Sequence, residues 1–162
     1  MDISTDKLLK LLEKNARLSN EQLSDMLGVP AEEIAAAIDC LREENVIKGF
    51  QTIIDWEKTG SDFCVARIEL KVTPKSGMGF EEIAETIAQF EEVSSVYLMS
   101  GGYDLALTVN GKTFKDIALF VSHRLAPLDS VVSTATHFVL RKYKERGIVI
   151  IDGEKDTREA AF

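Results

Sequence analysis

The chain has 162 residues, is 45% hydrophobic and 28% charged, and carries a formal net charge of −8. That length suits one domain of ordinary size or two small ones, with the composition of a folded, soluble protein. The acidic balance excludes a basic, phosphate-binding surface over the whole molecule, and no apolar run reaches the ~18 residues that a membrane span needs. No charged-then-apolar leader opens the chain. Cys40 and Cys64 fall in different modules and read as reduced, buried thiols of a cytoplasmic protein. No Cys/His spacing suggests a metal, and nothing calls for a cofactor.

Residues 1–54 read as three helices with tight breaks. Helix one runs from about Thr5 to Lys14, with Leu8, Leu9, Leu11 and Leu12 on its apolar face. Asn15-Ala16-Arg17 ends it. Ser19 stands as an N-cap, its hydroxyl placed to take an orphan backbone N–H. Helix two, Asn20 to Leu27, buries Leu23, Met26 and Leu27, and Gly28 closes it, as a residue tolerating positive φ should. Pro30 sits in the first turn of helix three, where its missing N–H costs nothing. Ile34, Ala37, Ile38 and Leu41 follow at i, i+3, i+4, i+7, one apolar stripe. Two helices joined around a glycine, with a third in front, make a helix-turn-helix. The β-prone run from Val46 to Ile54 reads as a wing or the start of a linking strand, and residues 55–62 (DWEKTGSD) as a linker.

Residues 63–151 read as a second module. Cys64, Ala66, Ile68, Leu70 and Val72 alternate with Val65, Arg67, Glu69 and Lys71 at the period of a strand. Residues 73–79 end that strand. Phe80, Ile83, Ala84, Ile87 and Ala88 then give a helical stripe. Val96 to Met99 and Leu105 to Val109 form a hairpin about Gly101-Gly102. Thr113 caps a helix carrying Phe114, Ile117, Ala118, Val121 and Leu125, which Pro127 ends. The last long strand runs from Val131 to about Tyr143. Ile148 to Ile151 add a short edge strand, and the tail 152–162 reads as flexible. The order is β-α-β-β-α-β, a ferredoxin-like sheet with two helices on one face. The fold class is therefore α+β, a winged helix-turn-helix followed by a ferredoxin-like domain.

The turn Ser100-Gly101-Gly102-Tyr103-Asp104 is the candidate small-molecule site. Backbone N–H groups in a glycine turn can hold a carboxylate, and an aspartate can pair with an ammonium group. The plain alternative is a hairpin turn needing positive φ, with Asp104 merely capping it. Thr134 and Thr136 point to one side of the last strand. They are ordinary strand formers, or partners in a pocket from across a subunit interface. His123 reads as a cation in the last turn of a helix. His137 has no nucleophile or second ligand near it in sequence, and Trp56 reads as a packing residue.

Both modules in this order resemble the Lrp/AsnC family, the leucine-responsive and feast/famine transcriptional regulators. The residues that carry the resemblance are LLKLLEKNARLSNEQLSDMLGV, LREENVIKGFQTIID, VSSVYLMSGGYDLALTV and VVSTATHFVLRKYKERG, covering about Asp2 to Ile151. The resemblance implies an N-terminal domain that binds double-stranded DNA and a C-terminal RAM-type domain that senses an amino acid and self-associates. It implies a homodimer assembling to an octamer, with the effector between subunits beside residues 100–104. The DNA-binding candidates are Arg17, Ser19, Asn20, Glu32, Glu33, Ala36, Arg42 and Lys48, with Lys10 a further cation within reach of phosphates. Some relatives are recruited to haem-precursor decarboxylation. No basic, histidine-bearing loop and no paired acid and base stand out here, so the chain does not read as an enzyme.

Helix three departs from the family habit of outward arginine and hydroxyl residues. Its outward positions at i, i+4, i+7, i+11 are Glu32, Ala36, Asp39 and Glu43, and residues 1–50 hold six Lys/Arg against ten Asp/Glu, a net of −4. DNA binding leans on cations, and guanine readout on Arg or Lys. The alternative is therefore a metabolite-sensing or protein-interaction module whose acidic helix-turn-helix has lost most of its DNA affinity.

Overall fold

The computed structural model describes residues 3–74 and 79–150. The chain divides into two compact units between Ile53 and Ile54. The first holds α1 (Ile3–Lys14), α2 (Asn20–Leu27) and α3 (Ala31–Glu43), with α1 starting before the expected Thr5. Ser19 closes a capping box: its hydroxyl accepts from the Gln22 N–H at 3.2 Å, and Gln22 Oε1 accepts from the Ser19 N–H at 2.9 Å. Gly28 takes φ 68°, and its N–H donates to the Ser24 carbonyl at 2.8 Å. Pro30 is the N-cap of α3, one position before the expected first turn.

Leu8, Leu12, Leu23, Ile34 and Leu41 form the buried core of this unit, with Leu9, Leu11, Leu27, Ala37 and Ile38 packed half-buried around them. Met26 is 59% exposed, against the expectation that it is buried. An eight-residue helix offers a narrow seam, and the i,i+4 pair Leu23 and Leu27 takes it. Cys40 is also exposed rather than buried, because it lies off the Ile34–Leu41 stripe. After α3 the N–H groups of Val46 and Ile47 both donate to the Leu41 carbonyl at 2.9 and 3.0 Å. Residues 48–54 then join no ladder among the described residues, so the expected wing strand is not formed. Strand preference is a preference for a neighbouring pleated surface, and no strand among the described residues pairs with this run.

The second unit opens with a 3₁₀ turn (Trp56–Thr59), followed by β1 (Cys64–Val72), α4 (Phe80–Ala88), β2 (Val93–Leu98) and β3 (Leu105–Gly111). Next come α5 (Phe114–Phe120), a π-helical turn (Val121–Leu125) and β4 (Val131–Phe138). The four strands form one antiparallel sheet in the order β2-β3-β1-β4. Ala66, Ile68, Leu70, Val72, Leu105, Leu107 and Val109 pack with Ile83, Ile87, Ile117, Phe120, Val121 and Leu125 in a second core. Each large member is worth about 1.5–3 kcal/mol on burial.

Three expectations shift here. Phe114 and Ala118 are exposed, and Phe120 takes a core place instead. The π turn admits an extra residue per turn, as the Ala126 N–H bonded to the Val121 carbonyl at 2.8 Å shows, and Phe114 stacks outside on Phe138 at 4.6 Å between centroids. β4 stops at Phe138, well short of Tyr143, although β1 runs on to Cys64 and the Val139 N–H still donates to the Val65 carbonyl at 2.9 Å. The final apolar residues do not extend the main sheet. Ile148–Val149 (β6) pairs with Lys144–Glu145 (β5) in a separate hairpin. Its turn residues Arg146 and Gly147 have φ 45° and 85°, the geometry of a tight primed turn. Ile151 and the tail 152–162 lie outside the described residues.

Candidate functional site

The turn between β2 and β3 is closed by main-chain bonds at both ends. The Met99 N–H donates to the Asp104 carbonyl at 2.8 Å, and the Asp104 N–H donates across to the Leu70 carbonyl of β1 at 2.9 Å. The Asp104 carboxylate is not free to cap its own turn. Its Oδ2 accepts from the Val72 N–H at 2.8 Å. Leu70 and Val72 both face β3, which begins only at Leu105, opposite Leu70. The Val72 N–H therefore lies past the end of that ladder, and Asp104 satisfies it. The side chain thus ties the turn to the end of β1, and Oδ2 is spoken for.

Ser100, Gly101 and Gly102 are exposed, while Tyr103 and Asp104 are half-buried. Gly101 has φ 151°, a conformation that favours glycine; Gly102 has no positive φ. A Cβ on either residue would meet nothing within 4 Å. Neither glycine is needed for packing inside the chain, so the main chain of the turn stands bare and approachable.

Thr134 and Thr136 are half-buried on β4, opposite Leu70 and Ile68 of β1. Paired residues of an antiparallel sheet share a face, so both threonines lie on the helix-covered side. Leu105, just after the turn, pairs with Leu70 from the other side. One strand therefore separates the turn from Thr134, and at about 4.8 Å per strand the two lie roughly 10 Å apart. Within one chain the structure brings together residues 100–104 and places the threonines apart from them.

On α3, Glu32, Ala36, Asp39 and Glu43 are all exposed, as their spacing requires. Arg42 Nη1 lies 3.9 Å from Asp39 Oδ1. The Cys40 Sγ–H donates to Glu44 Oε1 at 3.6 Å, and the charge of Glu44 with this bond pushes the Cys40 thiol above its ordinary range. Lys10 is held by Asp6 at 2.7 Å, which raises its pKa. Arg17 and Lys48 are exposed, and among the described residues neither carries an ion pair. Ser19 spends its hydroxyl on the cap of α2, and Asn20 opens that helix, half-buried.

Several features gave no signal in the sequence. Arg124 is ion-paired to Glu92 Oε1 at 2.6 Å and lies over the Phe90 ring at 4.5 Å. At the opposite end of the sheet from the turn, a cleft of about 580 Å³ is lined by Trp56, Phe63, Lys112, Phe114, Leu140 and others. Trp56 packs on Phe63 at 5.4 Å, as a packing residue should. Cys64, also in this cleft, is half-buried, and its thiol is raised by burial and by the charge of Asp116. Among the described residues no group of His, Cys, Asp and Glu could hold a metal ion, and no helix is long and apolar enough to cross a membrane.

A helix-turn-helix followed by a ferredoxin-like sheet defines a class: a transcription regulator with a ligand-binding domain. Residues 1–48 match the winged helix-turn-helix DNA-binding family, and residues 65–149 match the Lrp/AsnC ligand binding domain. The chain belongs to the Lrp/AsnC family of transcriptional regulators. It is 48% identical over 153 residues to the uncharacterized HTH-type transcriptional regulator YugG of Bacillus subtilis, covering 94% of this chain and 92% of that one. It is 27% identical to the regulatory protein AsnC of Haemophilus influenzae, covering 84% and 89% of the two chains. A transcriptional regulator of Neisseria meningitidis, solved as an L-Met complex, shares the fold. It has a TM-score of 0.71 and 21% identity, over 90% of this chain and 93% of that one.

Proposed function

We propose that DNA occupancy by this regulator is tuned by an amino acid or a closely related metabolite held at the Ser100–Asp104 turn. The observation that carries this reading is the exposed, side-chain-free main chain of Gly101 and Gly102, with the turn tied to β1 through the Asp104 carboxylate. Free N–H groups there suit a carboxylate. The L-Met complex of the Neisseria meningitidis relative supports an amino acid as the ligand class. Thr134 and Thr136 would complete the pocket from a second copy, in a homodimer that assembles to an octamer. Arg17, Arg42 and Lys48 contact phosphates, Ser19 and Asn20 lie at the backbone, and Glu32, Glu33 and Ala36 face base edges.

The test is a fluorescence-anisotropy titration of the full chain on its own upstream DNA at low and moderate salt, repeated with each amino acid. The expected result is salt-sensitive binding whose midpoint moves with one amino acid or a few. Gly102→Ala should remove that shift while leaving the melting temperature near wild type. An effector response unchanged in Gly102→Ala places the pocket elsewhere.

The acidic face of α3 favours a second reading, a sensor or protein-interaction module with a weakened DNA reader. Several copies on one assembly would counter weak single contacts through multivalency. Absence of DNA binding at either salt selects this second reading.

A further inference from the structure

The outward ridge of α3 specifies what kind of base edge it can read. At 100° per residue, Glu32, Ala36, Asp39 and Glu43 fall within about 60° of arc, opposite the Ile34–Leu41 stripe. These four positions are not equivalent. Asp39 faces Arg42 at 3.9 Å, so its carboxylate serves to hold a cation on the flank of the helix. Glu43 lies in the last turn, whereas a recognition helix addresses bases with its N-terminal residues. Glu32 lies in the first turn, is exposed, and has no hydrogen-bond or ion-pair partner among the described residues. The positive end of the helix dipole is beside it, which eases the approach of its charge to a polyanion. Ala36, one turn further on, presents only a methyl group.

We propose that α3 reads the cytosine edge of a C·G pair through Glu32, and an adjacent thymine methyl through Ala36, with its cations confined to phosphates. This rests on the reading above that α3 enters the major groove. A carboxylate accepts from the cytosine N4 amino group; guanine and thymine offer it only acceptors, and adenine sets its N6 amino group beside the N7 acceptor, which repels the second carboxylate oxygen. No Arg or Lys lies on the ridge to take guanine O6 and N7. The operator pair is therefore recognised from its pyrimidine side.

The test is selection from randomised duplex DNA with the full-length protein at low salt, using wild type, Glu32→Gln and Glu43→Gln, followed by base-analogue substitution at the fixed pair. Wild type should enrich one invariant C·G pair per half-site. N4-methylation of that cytosine should weaken binding by roughly tenfold or more, while 7-deazaguanine opposite it leaves affinity unchanged. Glu32→Gln should relax that position to C or T, because an amide can donate to thymine O4. Glu43→Gln should leave the selected sequence as it was. Sensitivity to 7-deazaguanine but not to N4-methylation, or a selected sequence that Glu32→Gln does not alter, overturns the inference while the DNA reading stands. Enrichment of no sequence at all removes the DNA reading and this inference together.

Discussion

Both units of the chain start a helix with a hydroxyl cap, Ser19 before α2 and Thr113 before α5, each closed by the side chain three residues on. Their cores differ. Among the described residues the helical unit has a core cluster of five buried side chains and the sheet unit one of thirteen, drawn from strands paired far apart in sequence. A small unit buries a smaller share of its surface and has less stability to lose. The same local device therefore matters more in the first unit than in the second. In the sheet, long-range pairing holds the site in place. In the helix-turn-helix, caps and one leucine seam do.

The comparison breaks most visibly at Leu23. Leu23→Ala should cost about 3 kcal/mol and melt the helical unit separately, giving two transitions by circular dichroism where wild type gives one. The same truncation at Ile68 costs a like amount and should leave the sheet unit folded at 25 °C. Next comes Asp104→Ala, which strands the Val72 N–H bonded at 2.8 Å. The expected loss is about 1–3 kcal/mol, read by urea denaturation, and the effector response should go with it. Asp104→Asn, which keeps an acceptor, should recover most of the stability.

Smaller still is Ser19→Ala, at about 1 kcal/mol, against a smaller change for Thr113→Ala in the better-supported unit. Equal losses at the two caps would remove the contrast. The smallest effect is chemical. The charge of Glu44 raises the pKa of the exposed Cys40 thiol. Removing that charge lowers the thiol pKa and raises the thiolate fraction at pH 8. Glu44→Gln should therefore speed alkylation of Cys40 by roughly a factor of two or more, with no change in the melting temperature.

Much of this was legible in the residues. Period-2 burial from Ala66 to Val72, the cap at Ser19 and the left-handed turn at Gly28 are local signals, and the structure carries each of them, while Val65, expected on the outer face, is buried. The misreadings are tertiary. Met26 is apolar at helical spacing but stays exposed, and Phe114 turns away from the core onto Phe138. β4 ends at Phe138 although its neighbour β1 runs on to Cys64, which no feature of residues 139–143 announces. At the candidate site, the sequence places Asp104 beside two glycines and suggests a turn cap or a counter-charge. Its actual partner, Val72, is 32 residues away. That the Val72 N–H is left over beyond the Leu70–Leu105 pair appears only when β1 and β3 are aligned.

The frame of the β2–β3 turn is set by Met99, Asp104, Leu70 and Val72, through main-chain groups and one carboxylate. The side chains at 100–103 take no part in those bonds. Rim and scaffold are thus separable: the lip can be rewritten residue by residue for solutes of new shape while the strands beneath it keep their alignment. A library randomised at Ser100 and Tyr103, with both glycines kept, should consequently fold as a population and differ only in which solute each member answers to.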